Sequence, residues 1–488
     1  MSHRHGCVRA ILLSLLALSC SAAPTGAAIA APARRLSADA LRFVGDWYGA
    51  LPVGGARVQI IFRIIHGELG GLVGTIDIPE QHASGIGMDS LLISRGAIRV
   101  ALGRIGASYH GVMAENGGII RGTWTQGGYS MPLDLGRGAA PEPRRSQDPV
   151  PPYPYAVEDV SIENRAAGVR LAGTITRPRG AGPFPAVLMI TGSGPQNRDD
   201  EMLGHRPFLV IADRLTRAGL EVLRCDDRGT GKSTGAYATS TTADFASDAR
   251  AELEFLRSRP EVARARVGLL GHSEGGVIAP LLASQDRSIA FLVLLSAPGV
   301  PGDSLLLLQN EALERASGRR DDMSEWNRAL QRRLFAAVRA ARDTNGLDAS
   351  LHRVVRRAIG SLSAAQRGRI PPGFEERQVA SVSSPWLRWF LAHDPRPALR
   401  RITCPVLALA GARDLQVTPK ENLSAIAGAL RAGGDRDART IELPGLDHLL
   451  QTSATGLPSE YGSIEETIAP VALDTITNWI RAHVAPAR

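Results

Sequence analysis

The stretch 271-GHSEGG-276 decides how this chain is interpreted. It has the spacing G-x-S-x-G and directly follows the apolar run 267–270. This context is typical of a nucleophile elbow, in which a strand delivers a serine onto a turn so tight that only small flanking residues fit, and a helix then leads away. A serine between glycines also occurs in ordinary turns. The interpretation of Ser273 therefore depends on whether an acid and a histidine follow it.

An aspartate and a histidine do follow, each after a predicted strand. Asp414 lies in the loop that leaves the apolar run 405–410, and His448 comes after the apolar stretch 440–443. In nucleophilic catalysis by serine, an imidazole takes the hydroxyl proton, and a carboxylate fixes the tautomer of that imidazole and stabilises the imidazolium. The chain order serine, aspartate, histidine is one of the known orders of such a triad. We therefore predict a catalytic triad of Ser273, Asp414 and His448.

Asp447 is the rival acid, because it directly precedes His448. Neighbours on one loop rarely turn their side chains toward each other in the geometry that a triad needs, which favours Asp414. Structural roles are the alternative for both partners: an aspartate after a strand often caps the next helix, and a single histidine is usually a surface or hydrogen-bonded residue.

A glycine-rich loop, 191-TGSGP-195, follows the apolar run 185–190 and is predicted to form part of an oxyanion hole. Such a hole needs preorganised N–H donors for the negative oxygen of a tetrahedral intermediate. One predicted donor is the N–H of Glu274, just after the nucleophile. The other is the N–H of Ser193, with Gly194 as an alternative. An ordinary Gly/Pro turn is the competing interpretation of this loop.

The segment 226-DDRGTGKS-233 ends like a phosphate-binding loop, but the first glycine of G-x-x-x-x-G-K-[ST] would fall on Asp226. A carboxylate at that position would repel phosphate, so we do not expect nucleotide binding. The segment follows a predicted strand at 220–223 and resembles the D-x-R-G-x-G-x-S turn of many α/β-hydrolases.

Several segments together resemble the signature set of exported bacterial α/β-hydrolases, which are similar to serine carboxylesterases and to the serine aminopeptidase-like group. The segments are 192-GSGPQNRD-199, 204-GHRPF-208, 226-DDRG-229, 271-GHSEGG-276 and 445-GLDH-448. The resemblance implies an α/β-hydrolase fold, a mostly parallel sheet with helices on both faces, over residues 156–488. Two positions depart from the pattern of these relatives: Thr191 stands where they often have His, and Asp447 stands where we expect Asn. Both departures concern only the fine substrate specificity.

The remaining parts of the 488-residue chain are predicted to be an N-terminal β domain, a linker and a helical insert. Alternating apolar residues and glycine-rich turns predict a small antiparallel β domain at 38–138. Its aromatic residues are expected in the core, with a ligand site as the alternative; they are Trp47, Tyr48 and Trp124. Prolines make 139–155 a stiff linker.

The stretch 299–396 interrupts the predicted hydrolase domain. Apolar residues recur there at four-residue spacing, as at Leu330, Leu334 and Val338, and this spacing predicts helices. The resemblance makes the insert a cap over the active site. Its arginines, such as Arg332 and Arg356, are expected on solvated helix faces, with a funnel for anionic substrates as the alternative.

Residues 1–30 read as a secretory signal peptide, because Arg4 and Arg9 precede an apolar run and small residues offer a cleavage site near Ala30. We therefore expect export to the periplasm or the extracellular space. Lipid attachment at Cys20 is the less favoured alternative, since Ala17 stands where leucine is usual. No apolar run is long enough to span a membrane.

The net charge of +8 comes almost entirely from scattered arginines, so nucleic-acid binding has little support. Cleavage of the signal peptide would leave Cys225 and Cys404, on different predicted strands, and nothing demands a disulfide. No H-E-x-x-H cluster of metal ligands is present, and the expected reaction needs no cofactor.

We therefore predict a serine hydrolase that cleaves small-molecule carboxylic esters through an acyl-enzyme. A peptidase with the same triad is the first alternative, and cap residues such as Glu314 or Asp321 could then hold a substrate amine. A non-catalytic envelope binding protein, with the β domain as the active part, is the second alternative.

Overall fold

Two separate β-sheets organise the chain. The computed structural model describes residues 37–53, 56–67, 71–78, 83–127, 129–138, 145–318, 323–341 and 346–485. The predicted signal peptide, Cys20, the first part of the predicted linker (139–144) and Asp321 lie outside these residues. One compact unit holds the described residues up to 138 and Pro458–Ser463, and the other begins at Arg145, within the segment predicted as a linker.

The first unit is an antiparallel half-barrel of ten strands, in the order β4-β3-β2-β1-β10-β8-β7-β6-β5, with β9 paired to β8. Its elements are α1 (Ala38–Leu41), β1 (Gly45–Val53), β2 (Ala56–His66), β3 (Leu72–Ile78), β4 (Ala83–Gly87), β5 (Ser90–Ser94), β6 (Ala97–Leu102), β7 (Ala107–Met113), β8 (Ile119–Gln126), β9 (Tyr129–Pro132) and β10 (Leu135–Arg137). Alternate residues of the strands point into one apolar core, as a half-buried sheet requires. Trp47 and Trp124 are fully buried in that core, whereas Tyr48 is half-buried.

The second unit is built on an eight-stranded sheet in the order β11-β12-β14-β13-β15-β16-β17-β18. Its strands are β11 (Ala156–Asn164), β12 (Val169–Arg177), β13 (Phe184–Ile190), β14 (Glu221–Cys225), β15 (Val262–His272), β16 (Leu292–Leu295), β17 (Val406–Gly411) and β18 (Ala438–Leu443). The helices around the sheet are α2 (Pro207–Arg217), α3 (Thr242–Ser258), α4 (Gly275–Ala283), α12 (Pro419–Ala432) and α14 (Pro470–Val484). The pairs from β13 to β18 are parallel, and β11 and β12 join as antiparallel strands.

Helices cover both faces of this sheet, which explains why its central strands are apolar without alternation. Helices α2 and α14 pack on one face, for example through Phe208 and Ile476, and α3, α4 and α12 pack on the other, for example through Leu253 and Ile278. The chain crosses from one half of the sheet to the other between β13 and β15, which are neighbours in the sheet. Ligand sites of open α/β sheets form at such a crossing, outside the carboxyl ends of the strands.

A helical segment lies between β16 and β17. Its elements are α5 (Gly302–Ala316), α6 (Ser324–Ala340), α7 (Leu347–Gly360), α8 (Ala364–Arg367), α9 (Phe374–Val382), α10 (Pro385–Ala392) and α11 (Arg396–Leu399). The residues with four-residue spacing on α6 and α7 form a separate apolar cluster with residues of α9 and α10. The short helix α13 (Pro458–Tyr461) belongs to the first unit.

Charged side chains from the turn and from neighbouring elements stabilise the turn at 226–233. The Asp226 carboxylate accepts hydrogen bonds from the guanidinium of Arg198 and from the N–H of Lys232, and Arg228 makes a bidentate pair with Asp248. A phosphate-binding loop offers such N–H groups to its ligand. In this turn the Asp226 carboxylate already accepts the N–H of Lys232, where a phosphate would otherwise bind. We therefore interpret the turn as a structural element.

Both cysteines of the second unit are free thiols. Cys225 lies at the end of β14, whereas Cys404 precedes β17 instead of lying on it. The expectation that both lie on strands is therefore wrong for Cys404.

We predict opposite effects of alanine at two helical glycines of the second unit. A Cβ at Gly276 would lie 2.3 Å from the Cβ of Ala297, so Gly276→Ala should lower the free energy of unfolding by about 1–3 kcal/mol, as overpacking does. Gly428 on α12 has open space around it, so Gly428→Ala should raise that free energy by up to about 1 kcal/mol. Urea titration followed by far-UV circular dichroism measures both. Equal stability of Gly276→Ala and the parent protein would contradict this packing.

Candidate active site

Ser273 lies on a strained turn between β15 and α4. Its φ is +50°, in the left-handed region that non-glycine residues seldom adopt, and its N–H donates to the carbonyl of Leu295. The flanking glycines are required by space: a Cβ at Gly271 would lie 2.1 Å from the carbonyl oxygen of Gly275, and one at Gly275 would lie 2.1 Å from that of Ile190. The turn therefore has the geometry of a nucleophile elbow.

Asp414 and His448 are joined by a hydrogen bond of 2.9 Å between Oδ2 and Nδ1. Asp414 follows β17, and its Oδ1 accepts the backbone N–H groups of Gln416 and Val417, both at 2.8 Å. The carboxylate is buried, and its own loop fixes its orientation. One oxygen is thereby left for the imidazole, as the orienting acid of a triad requires.

Asp447, the rival acid, has a different role. Its Oδ1 accepts the backbone N–H groups of Leu449 and Gln451, each at 3.0 Å. The side chain thus stabilises the turn that follows His448. No hydrogen bond between the side chains of Asp447 and His448 occurs in the described part of the chain.

The elbow and the histidine loop meet through His272. Its ring centroid is 5.1 Å from that of His448, and its Nε2 is 3.4 Å from the His448 carbonyl oxygen. Within the described residues, no hydrogen bond joins Ser273 Oγ to the His448 ring. Such bonds often tighten only when substrate binds. The structure therefore joins two of the three predicted residues directly and places the third in the adjoining elbow.

The predicted oxyanion donors lie in two neighbouring loops after β13 and β15. In the described ranges, the N–H groups of Ser193 and Glu274 have no protein acceptor. The N–H of Gly194, the alternative donor, is already bonded to the hydroxyl of Tyr237 at 2.8 Å. Thr191 anchors the start of the loop by donating to Asp227 at 2.6 Å. Ser193 and Glu274 are thus the donors that remain for a ligand.

The side chain of Glu274 has a role that the sequence analysis missed. Its buried Oε1 accepts the hydroxyl of Thr242 at 2.6 Å and the indole N–H of Trp386, on α10, at 2.7 Å. Burial raises the pKa of this carboxyl group. Glu274, the residue after Ser273, is therefore hydrogen-bonded to the helical segment, a contact that no local sequence pattern predicts.

The Asp200–His272 pair was also missed. Oδ2 of Asp200 lies 2.8 Å from His272 Nδ1, and both side chains are buried. The signals were present in the sequence: Asp200 directly follows 192-GSGPQNRD-199, and His272 precedes Ser273. Nothing in the sequence states that these two positions are in contact.

Two negative findings apply to the described residues only. They contain no group of three or more His, Cys, Asp or Glu side chains placed to hold a metal ion. Among their helices, none has the length and the hydropathy that crossing a membrane requires.

Comparison with known proteins finds a family and several individual relatives. Residues 206–346 match the family described as serine aminopeptidase, S33, a segment that contains Ser273 but neither Asp414 nor His448. Esterase EstD of Thermotoga maritima is 24% identical over 337 residues, which cover 68% of this chain and 69% of that protein. These two matches support an α/β-hydrolase.

Two solved structures are also similar to this chain. The esterase Pf2001 of Pyrococcus furiosus is 17% identical, with 59% of this chain and 84% of that chain covered and a TM-score of 0.35. The α/β-hydrolase GrgF of Penicillium is 15% identical, with 67% and 99% covered and a TM-score of 0.43.

We predict that replacing each of the two acids, Asp414 and Asp447, by asparagine distinguishes their roles. Asp414→Asn should lower the hydrolytic kcat by about 10⁴-fold, because the amide no longer fixes the imidazole tautomer. Asp447→Asn should keep kcat within about threefold, since the amide oxygen still accepts both backbone N–H groups. Steady-state kinetics of the two purified variants measures the difference. A larger loss in Asp447→Asn than in Asp414→Asn would make Asp447 the acid.

Proposed function

We propose that this protein is a serine hydrolase that cleaves carboxylic esters through a covalent acyl-enzyme. The observation that carries the proposal is the buried Asp414–His448 pair at the carboxyl ends of β17 and β18, with a serine held at φ +50° in the adjoining elbow. A hydrogen-bonded acid–histidine pair next to a serine nucleophile is the recurring arrangement for acyl transfer.

In the proposed reaction, Ser273 Oγ attacks the ester carbonyl carbon while His448 Nε2 takes the hydroxyl proton. The tetrahedral intermediate collapses, the C–O bond to the alcohol breaks, and His448 returns the proton to the leaving alkoxide. Water then attacks the acyl-enzyme with His448 again as base, and the carboxylic acid and the free serine are released. Asp414 holds the Nδ1–H of His448 and stabilises the imidazolium in both steps.

Two backbone groups are proposed to stabilise the negative oxygen of each tetrahedral intermediate. They are the N–H of Ser193, in the loop that follows β13, and the N–H of Glu274, at the start of α4. Fixed donors aimed at a developing oxyanion contribute roughly 2.7–4 kcal/mol each to lowering the barrier. The helix dipole of α4 adds a positive end at the same point.

Esters are the preferred substrate class because EstD, a relative over two thirds of the chain, is an esterase. The family description names serine aminopeptidases instead, which keeps peptide and aminoacyl amides as the second candidate. Glu314, one of the two residues considered for binding a substrate amine, is already paired with Arg328 at 2.7 Å. Its charge is thus partly neutralised within the helical segment, which favours esters.

The proposal is tested by offering the purified protein panels of p-nitrophenyl acyl esters and of aminoacyl p-nitroanilides. We expect ester turnover and a loss of kcat of at least about 10⁵-fold in Ser273→Ala, on the scale of removing the nucleophile of a triad. Ser284→Ala, at the C-terminal end of α4, is the matched control and should keep the activity of the parent protein.

Each other outcome contradicts a stated part of the proposal. Faster turnover of the amides would assign the protein to the peptidases. Activity that survives in Ser273→Ala would remove that residue as nucleophile. Failure of the parent protein to turn over either panel would favour the non-catalytic binding protein.

A further inference from the structure

The Asp200 carboxylate bonds to two of the loops that build the proposed active site. Its Oδ1 accepts the N–H of Gly192, at the start of the oxyanion loop, at 3.2 Å, and its Oδ2 contacts His272 Nδ1 at 2.8 Å. Asp200 itself has φ +53°, a conformation that costs free energy in a non-glycine residue. One buried side chain thus connects the loop after β13 to the elbow after β15.

His272 continues this connection to the loop of the proposed base. Its Nε2 lies 3.4 Å from the carbonyl oxygen of His448, and the Ser296 hydroxyl donates to the same oxygen at 2.9 Å. The loop that carries the His448 imidazole is therefore held by two side chains at its backbone. Both belong to residues at the carboxyl ends of neighbouring strands, β15 and β16.

Both ring nitrogens of His272 face an oxygen acceptor. A neutral imidazole has only one N–H, so either tautomer would point a lone pair at the Asp200 carboxylate or at the His448 carbonyl. The doubly protonated ring donates to both oxygens. The remaining surroundings include Phe208, Leu295 and Leu449, which line a small cavity beside the pair, and the titratable ring of His448, whose centroid is 5.1 Å from that of His272.

We propose that Asp200 and His272 form a buried carboxylate–imidazolium pair that positions the oxyanion loop and the His448 loop for the ester hydrolysis proposed above. Neither residue touches the reacting atoms. Both act as positioning residues, Asp200 through Gly192 and His272, and His272 through the backbone of His448. The kinetic consequences of this inference rest on the proposed function, whereas the charge state of the pair does not.

The charges around His272 agree with an imidazolium. Burial lowers the pKa of its ring, but the charge and hydrogen bond of Asp200, the His448 carbonyl and the charge of Asp414 outweigh burial, and the pKa is raised above its usual value. Because this pKa is raised, the pair is complete below the ordinary histidine pKa and is lost as the pH rises through the pKa of folded His272. We therefore expect kcat to decline as the pH rises through that pKa.

The charge state is tested by NMR on protein labelled with ¹⁵N in its eleven histidines. The His272 signals are identified by their absence from the His272→Gln spectrum. We expect both His272 nitrogens to be protonated at pH 7 in the parent protein and a single neutral tautomer in Asp200→Asn. A neutral His272 in the parent protein between pH 6 and 7 would overturn the proposal, whether or not the protein hydrolyses esters.

Kinetics tests the positioning role. Asp200→Ala removes both anchors and should lower kcat by about 10²-fold with KM within about threefold, because the affected groups act in the transition state. Asp200→Asn keeps an oxygen for Gly192 and should lose less, and its kcat should no longer show the decline with rising pH that the parent protein shows. Glu201→Gln, next in the chain and exposed, is the control without effect.

The kinetic outcomes separate this inference from the proposed function. A kcat of Asp200→Ala within threefold of the parent value, or a raised KM with unchanged kcat, would refute the positioning role. Far-UV circular dichroism shows whether each variant is folded, and the spectrum of the parent protein decides the charge state if Asp200→Ala does not fold. Absence of any ester turnover by the parent protein counts against the proposed function alone, since the NMR result still decides on the pair.

Discussion

The candidate active site depends on one close contact, the approach of the first residue of α4 to the end of β13. At Gly275 a Cβ would lie 2.1 Å from the carbonyl oxygen of Ile190, so the helix begins directly against the neighbouring strand. The chain can turn from β15 into α4 at this distance only with glycines at both sides and with Ser273 in the left-handed region. The strain is stored where the proposed chemistry takes place, as is common at functional sites.

The position of the elbow beside β13 also determines which loops supply the other groups of the candidate active site. Because β13 and β15 are parallel neighbours at the crossing of the sheet, their two carboxyl-end loops face each other, and each supplies one proposed oxyanion donor. The acid and the histidine arrive from β17 and β18, two and three strands away from β15. Polar contacts made by Asp200, His272 and Ser296 then hold these loops together. A rigid arrangement of this kind lowers the reorganisation needed during reaction.

Much of the geometry of the candidate site could be predicted from sequence because its residues carry local signals. Glycines mark the elbow, and Asp414 and His448 each follow an apolar run that ends a strand. The Asp200–His272 contact spans 72 positions and the Trp386–Glu274 contact spans 112. Such pairs depend on packing between distant elements, which leaves no periodic signal. For the same reason, the prolines of 139–155 predict a stiff linker but not the start of the second unit at Arg145, where Gln147 donates to the carbonyl of Ile468 and Tyr155 to the carboxylate of Asp213.

The most direct test of a covalent serine mechanism is to trap the intermediate itself. The protein is mixed with an ester whose acyl group leaves the enzyme slowly, quenched in acid within the first turnover, and analysed by intact-mass and peptide mass spectrometry. We predict a mass increase equal to the acyl group minus one hydrogen, located on the peptide that contains Ser273 and absent from the Ser273→Ala protein. An unmodified protein during rapid turnover, or an acyl group on another residue, would contradict this mechanism.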